Sequence, residues 1–443
     1  MNLYKSAALC LGLCLLHFQA SAYTQHSDFN TGNPADNSET RENRLKQIYE
    51  TQAIADNIWS GLTNEFVSAY EAGDYTKASA VAKKAYDIAL TNFGKHHVNT
   101  ADSLLKLGII NETLGNYEVA KQYMIDAMEI LTEQLGPYHE DVAIVLTNLA
   151  NLYFEQKMPE QSESYHKKAL QIRIRTLGEN DPAVAQSMYN LAVLYDDLTK
   201  YEQAAELYES ALKIWNANYG AVHPYVANAL NNLANVYMVQ ERYDDAIELH
   251  KQSLAVRRSL YGENHAEVAR SLINLGALYV KKSAYDKAAP LYVEAVHVAE
   301  NLFGPQHPQV AMLLYSLANI YHIQGRLAKA ESQHLKLPQG DAGKTAVAVP
   351  TAATALATSA SPTKVSAKVS AKQPSRAKLE KSAQNKFKQA VPLYERALKI
   401  MDTSMGGHHP AVTAMINELA MLYKSIGDTT NAQKMQARLS SIH

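Results

Sequence analysis

Hydrophobic and polar positions along this chain follow a helical spacing, not a strand spacing. Leu191, Ala192, Tyr195, Ala204, Tyr208 and Ala211 fall in two runs with three- and four-residue steps, separated by Leu198-Thr199-Lys200-Tyr201. Such steps put one stripe of each helix toward a shared core and predict a helix–turn–helix unit. The unit recurs. Leucines at 107, 149, 191, 233, 275, 317 and 419 mark a first helix, and tyrosines at 153, 195, 237, 279, 321 and 423 follow four residues after most of them. Alanines at 78, 120, 204, 246, 288 and 432 mark a second helix where it must approach the first closely. The tyrosines are expected to pack between helices.

Glycine sets the period. Gly94, Gly136, Gly178, Gly220, Gly262 and Gly304 stand 42 residues apart, with LGENDPAVA at Leu177, YGAVHPYVA at Tyr219 and FGPQHPQVA at Phe303 around them. A fixed period of this size predicts one stacked array. It replaces the expectation of about three domains that length alone would give at roughly 150 residues each.

The L-A/G-x-x-Y…A-x-x-x-Y/F…A pattern resembles the tetratricopeptide repeat, a helix–turn–helix unit of about 34 residues. The longer unit here, with G-x-x-H-P-x-V-A and N-N-L-A-x-x-Y, resembles the kinesin light chain subclass. The resemblance runs from about Ile54 to Leu439. It implies an all-α fold, a right-handed α-solenoid of about eight helix–turn–helix units with a concave groove for peptides. Motor transport does not carry over, because heptads for joining a motor are absent. The first unit is degenerate: Gly73-Asp74-Tyr75 and Ala78 keep the turn, but Glu65 and Ala69 replace the leucine and tyrosine. Terminal repeats meet water on one face and are expected to drift in this way.

One unit is interrupted. Gly406, His409 and Pro410 come 102 residues after Gly304, His307 and Pro308 instead of 42, so 60 extra residues split the seventh repeat. Its second helix has two candidate starts, Arg326–Ala330 and Lys386–Ala390. The second is favoured because Ala390, Tyr394 and Ala397 complete the pattern, while Leu337-Pro338 breaks the first. The stretch between is rich in Ala, Ser, Thr, Lys and Pro, and its composition predicts a flexible or partly extended loop. The organisation expected is a signal peptide at 1–22, a polar segment at 23–50 with a helix cap at Ser38–Glu42, repeats one to seven over 51–336, a basic low-complexity loop at 337–384, and the completed seventh and final repeats over 385–439.

The expected signal peptide rests on Lys5, an apolar run from Ala7 to Phe18, and the small residues Ala20-Ser21-Ala22. That run is too short to span a bilayer, which takes about 20 apolar residues. Cys10 and Cys14 both lie in it, so cleavage would leave no thiol for disulfides, thiolate metal sites or nucleophiles. Export to a periplasm or to the outside, in a bacterial envelope, is the localisation this predicts.

Charge is nearly balanced, at 42 Lys+Arg against 44 Asp+Glu, and gives no case for nucleic acid. It is unevenly placed. Residues 338–388 carry nine Lys/Arg and two acids, which suits an anionic envelope surface as a partner or a plain solvated linker. The triplet Gly343-Lys344-Thr345 inside this segment resembles the end of a phosphate-binding loop. A nucleotide is excluded as partner because Pro338 stands where the first glycine is needed and no strand precedes it.

His97, His139, His223, His265, His307 and His409, with Asp181, share one slot three residues after the repeat glycine. Prolines follow at 182, 224, 308 and 410, so the slot reads as a helix N-cap. A shared metal is rejected, since helix contacts of about 8–10 Å exceed zinc bonds of about 2 Å. No cofactor is expected.

Asparagines are the candidate site. Asn148, Asn190, Asn232 and Asn274 each precede the first-helix leucine, and Asn151, Asn235 and Asn319 lie one turn on. The resemblance implies that these carboxamides face the groove and hold the backbone of an extended peptide. The alternative is hydrogen bonding between adjacent helices. The slot fails at Lys106, Ser316 and Glu418, so a clamp would be central. Tyr189, Asn231, Tyr315, Asp196, Asp197 and Glu155 are expected nearby, pointing to a ligand with apolar and basic residues. No H-E-x-x-H or G-x-S-x-G motif suggests an enzyme. The reading is an exported scaffold for peptides or proteins. Its alternatives are an envelope-tethering structural protein and a regulatory subunit of an envelope enzyme.

Overall fold

Helix pairs matching the repeat fill the computed structural model of the protein, which describes residues 38–333 and 375–442. The expected signal peptide at 1–22, most of the low-complexity segment and the triplet Gly343–Thr345 lie outside the described residues. The described residues form sixteen helices and no strand.

The chain divides into two compact units at Ile214. The first contains α1 (Ser38–Glu71), α2 (Tyr75–Phe93), α3 (Val98–Thr113), α4 (Tyr117–Leu135), α5 (Glu140–Glu155), α6 (Pro159–Leu177) and α7 (Pro182–Asp197). The division falls inside α8 (Tyr201–Tyr219). The second unit continues with α9 (Pro224–Val239), α10 (Tyr243–Tyr261), α11 (Ala266–Lys281), α12 (Tyr285–Phe303), α13 (Pro308–Ser332), α14 (Arg376–Met405), α15 (Pro410–Ile426) and α16 (Thr429–Ile442).

The repeated alanines sit where helices close on one another. Ala78, Ala120, Ala204, Ala246, Ala288, Ala390 and Ala432 are all buried. With no side chain beyond Cβ they bring the two backbones of a pair together. The degenerate first unit repairs itself by a one-residue shift: Phe66 and Tyr70 are buried beside Ala69, whereas Glu65 faces Lys77 at 2.9 Å. Helix α1 begins at Ser38, so residues assigned to the polar segment 23–50 are helical from there on.

Every expected N-cap is formed. The Nδ1 of His97, His139, His223, His265, His307 and His409 accepts the backbone N–H two residues on at 3.1–3.2 Å, and Asp181 does so at 2.7 Å. An accepting Nδ1 carries no hydrogen, so the ring hydrogen of such a cap is on Nε2. The preceding aromatic stacks on the ring for Phe93–His97, Tyr219–His223, Tyr261–His265 and Phe303–His307, with centroids 4.3–4.9 Å apart. The tyrosines of the first helix also take cations: Arg242 lies 3.7 Å from the Tyr237 ring and Lys200 5.0 Å from Tyr195.

Two buried arginines were not foreseen. Arg173 on α6 reaches Glu140 on α5 at 2.9 Å and Ser187 on α7 at 2.7 Å. Arg257 on α10 reaches Asn228 on α9 at 3.0 Å and Ser271 on α11 at 2.6 Å. Each is 1% exposed and ties three consecutive helices. The slot is apolar at Leu131, Trp215, Ala299 and Met401, and there the residue 14 positions later is Val145, Ala229, Leu313 or Met415 instead of serine. Ala89 is too short to reach Ser103, and the Trp59 indole N–H donates to that serine instead, at 2.8 Å.

The interrupted repeat departs most from expectation. At the turn between paired helices, Gly73, Gly115, Lys157, Thr199, Glu241, Ser283 and Gly427 all adopt φ between 57° and 82°. Gly325 occupies the same slot, and a left-handed turn there would cost it nothing. It is instead helical, and α13 runs through it to Ser332. The candidate start Arg326–Ala330 is therefore a continuation of the first helix. Its partner α14 starts at Arg376, ten residues ahead of Lys386, so the end of the assigned loop 337–384 is helical too. Good helix formers in both stretches allow this. The two extensions bury Ala330, Ser332 and Ala383.

Gly325 makes the contact possible. A Cβ there would stand 2.4 Å from Cε1 and 2.6 Å from Cδ1 of the buried Phe387 ring. Gly325→Ala is expected to destabilise the second unit by about 1–3 kcal/mol despite alanine's better helix propensity. Urea unfolding followed by circular dichroism measures this.

Candidate peptide-binding face

The asparagine slot is a position on the edge of the core, and its occupants bond back along their own helix. In the first unit Asn148 is buried and its Nδ2 donates to Ile144 O at 2.9 Å, while half-buried Asn190 accepts from Gln186 Nε2 at 2.9 Å. Lys106, in the same slot of α3, forms a buried ion pair with Asp102 at 2.5 Å. Ser316 in the second unit donates to Met312 O at 2.9 Å. In each case the partner is four residues earlier, the step that faces along a helix.

In the second unit Asn274 is joined to another helix, and Asn232 to the residue before it on its own helix. Asn274 Nδ2 on α11 donates to Asn231 Oδ1 on α9 at 2.9 Å, and Asn231 Nδ2 reaches Asn232 Oδ1 at 3.2 Å. Both keep part of their surface exposed. In Asn274 a hydrogen bond between helices and partial exposure thus occur in one side chain.

One turn on, the three asparagines differ. Asn319 is buried and accepts the Tyr394 hydroxyl, with its Nδ2 unpaired. Asn151 on α5 and Asn235 on α9 are half-buried and make no hydrogen bond among the described residues. Each offers an unspent donor and acceptor, the complement of a peptide unit. Of the aromatic and amide side chains expected beside them, Tyr189, Asn231 and Tyr315 are buried in the core and do not present to a ligand.

The acidic side chains do remain at the surface of the first unit. Asp197 and Glu155 are exposed and Asp196 half-buried, at the ends of α7 and α5. Burial and the adjacent Asp197 raise Asp196 to about 6. Glu112, at the end of α3, is pushed to about 8 by burial and by Glu155. Crowded carboxyls of this kind favour a cationic side chain. Glu112 was missed in the sequence. Its only signal was sharing a repeat position with Asp196, 84 residues on. No group of His, Cys, Asp and Glu among the described residues is arranged to hold a metal ion.

Consecutive antiparallel helix pairs with a half-polar first-helix face define an all-α repeat scaffold for protein interaction. Tetratricopeptide repeat family models match residues 67–133, 114–172, 141–217, 225–301 and 281–336, and a second such model matches 189–259. The chain belongs to the tetratricopeptide repeat family.

Similar solved structures include BtubC (BKLC) from P. vanneervenii, at 22% identity over 55% of this chain and 92% of that one, with TM-score 0.46. A kinesin light chain-type protein of Podosopora anserina with nearly identical TPR-like repeats is 20% identical over 46% of this chain and 97% of its own, with TM-score 0.42. The signal-transduction ATPase PH0952 of Pyrococcus horikoshii, which has a tetratricopeptide repeat sensor, is 18% identical over 65% of this chain and 44% of its own, with TM-score 0.51. At these identities the likeness is one of fold. Comparison with curated proteins finds no match.

Proposed function

We propose that the protein is an exported scaffold that holds an extended peptide, or an extended segment of a partner protein, on the first-helix faces of its repeats. The observation that supports this is one half-buried carboxamide on each unit, Asn151 on the first and Asn235 on the second, with no hydrogen bond among the described residues. Asn190 and Asn274, each with one side-chain group engaged, extend the same chemistry. Such bonds contribute about 0.5–1.5 kcal/mol each, which after ordering costs suits roughly micromolar, reversible binding. The acids at Glu112, Glu155, Asp196 and Asp197 favour a ligand with lysine or arginine.

Export rests on the sequence at 1–22 and on a mature chain without cysteine; N-terminal sequencing of the envelope-fraction protein should begin at Tyr23. An anionic envelope surface is the second partner assigned, through the basic segment 338–388. Nucleotide and nucleic acid are not partners in this reading.

The binding test is a fluorescent library of unstructured peptides. Asn151→Ala with Asn235→Ala is expected to weaken the best binders roughly tenfold with an unchanged melting temperature. Asn148→Ala should instead lower the melting temperature, since its bond is internal to α5. A library with no binder, or a double variant that binds like the parent, would sink the peptide reading.

A further inference from the structure

We infer that the lengthened part of the α13–α14 pair is a docking surface for an anionic phospholipid membrane. The inference rests on the envelope-surface reading above and moves the binding charge from a loop onto two packed helices.

The extra turns are not needed to complete the repeat. Joining Gly325 directly to Lys386 and Phe387 would give Gly-Lys-Phe where other units have Gly73-Asp74-Tyr75 or Gly115-Asn116-Tyr117, and the 42-residue period would be restored. Seven residues of α13 follow Gly325 and eleven of α14 precede Phe387. At 1.5 Å per residue they carry the pair roughly 10–16 Å past the turn.

These turns hold the net charge of the second unit's described residues. Residues 326–333 and 375–388 contain Arg326, Lys329, Arg376, Lys378, Lys381, Lys386 and Lys388 against Glu331 and Glu380. The rest of the second unit's described residues have 13 Lys/Arg and 13 Asp/Glu, and residues 38–214 have 16 against 26. An anionic surface would repel the first unit and be met by this pair. Lys378, Lys381 and Lys388 are exposed and have no acidic partner among the described residues. Three other cations are partly engaged: Lys329 with Ser425 O, Arg376 with Glu380, and Lys386 over the Tyr321 ring.

Lipid fits better than nucleic acid. Leu327 is 39% exposed between Arg326 and Lys329, an apolar residue among cations suited to the boundary between headgroups and acyl chains. The one aromatic within residues 326–333 and 375–388, Phe387, is buried and offers no face on which a base could stack.

Vesicle co-sedimentation tests this with the full mature chain, using phosphatidylcholine vesicles with and without phosphatidylglycerol at low and high salt. Binding is expected only with phosphatidylglycerol and only at low salt. Lys378→Glu with Lys381→Glu and Lys388→Glu should weaken it on the order of 100-fold. Replacing residues 338–374 with a Gly/Ser linker should leave most of it. If the parent ignores anionic vesicles, the envelope-surface reading itself fails. If the parent binds but the triple variant binds equally, or the linker variant loses binding, the surface lies in the loop and the docking pair is wrong. Tighter retention by duplex DNA than by vesicles would also overturn it.

Discussion

Arg257→Leu is expected to cost the second unit about 3 kcal/mol of stability. The guanidinium is 1% exposed and donates to Asn228 at 3.0 Å and Ser271 at 2.6 Å, with Glu267 at 3.2 Å. Leucine would strand these polar groups against apolar surface, the arrangement that makes breaking a buried ionic network cost about 3–5 kcal/mol. Glu267 keeps Arg270 as a partner, which holds the loss to the lower end. The repeat itself supplies a second arm: wherever the arginine slot is apolar after the first unit's Ala89, the serine is apolar too. Arg257→Leu with Ser271→Ala should therefore recover part of the loss. Urea midpoints of the parent, both single variants and the double variant form the cycle. A double variant no better than Arg257→Leu alone would show that Ser271 is not the group left wanting.

The second large effect is in acid. His166 and His250 are buried, and burial beside Arg173 and Arg257 lowers each to about 4 from the usual 6.5. Their native forms are neutral, so the unfolded chain takes up protons first as pH falls. Stability from this source is complete above pH 6.5 and is lost between 6.5 and 4. At 1.36 kcal/mol per pH unit, each histidine should cost about 2 kcal/mol on going from pH 6.5 to 5. Glu112, Asp141 and Asp196 are raised to about 8, 6 and 6, so they act in the opposite sense and lose stability as pH rises. The comparison must therefore be between variants. Tyr208 and Tyr292 fill the equivalent slot in neighbouring repeats. His166→Tyr with His250→Tyr should remove about 4 kcal/mol of the acid loss. Parallel urea titrations at pH 6.5 and 5 decide it, and identical pH dependence in parent and variant would refute the assignment.

How far the sequence carried depended on whether a residue's job was local. The histidine caps were legible because a cap needs only its own following turn, and Pro182, Pro224, Pro308 and Pro410 announced it. The helix pairs were legible from the alanine and leucine rows for the same reason. Arg173 and Arg257 were hidden because lysine and arginine ordinarily mark surface. Only the serine 14 residues on could have disclosed them. The asparagines were half legible: the row was plain, but whether an amide turns to its own helix, as Asn148 does, or outward, as Asn151 does, depends on a neighbour's packing. The extension of α13 through Gly325 was not legible. A glycine at a turn slot predicts the turn, and what overrode it was Phe387, 62 residues later in the chain.

That override has a consequence for how the architecture can be modified. In a repeat array each helix pair leans mainly on its immediate neighbours. The 60 inserted residues accordingly leave no trace downstream, where Gly406, His409 and Pro410 resume the spacing of Gly304, His307 and Pro308. The insertion between α13 and α14 is in effect a port in the scaffold, where cargo of another length or kind could be spliced without re-phasing anything after it.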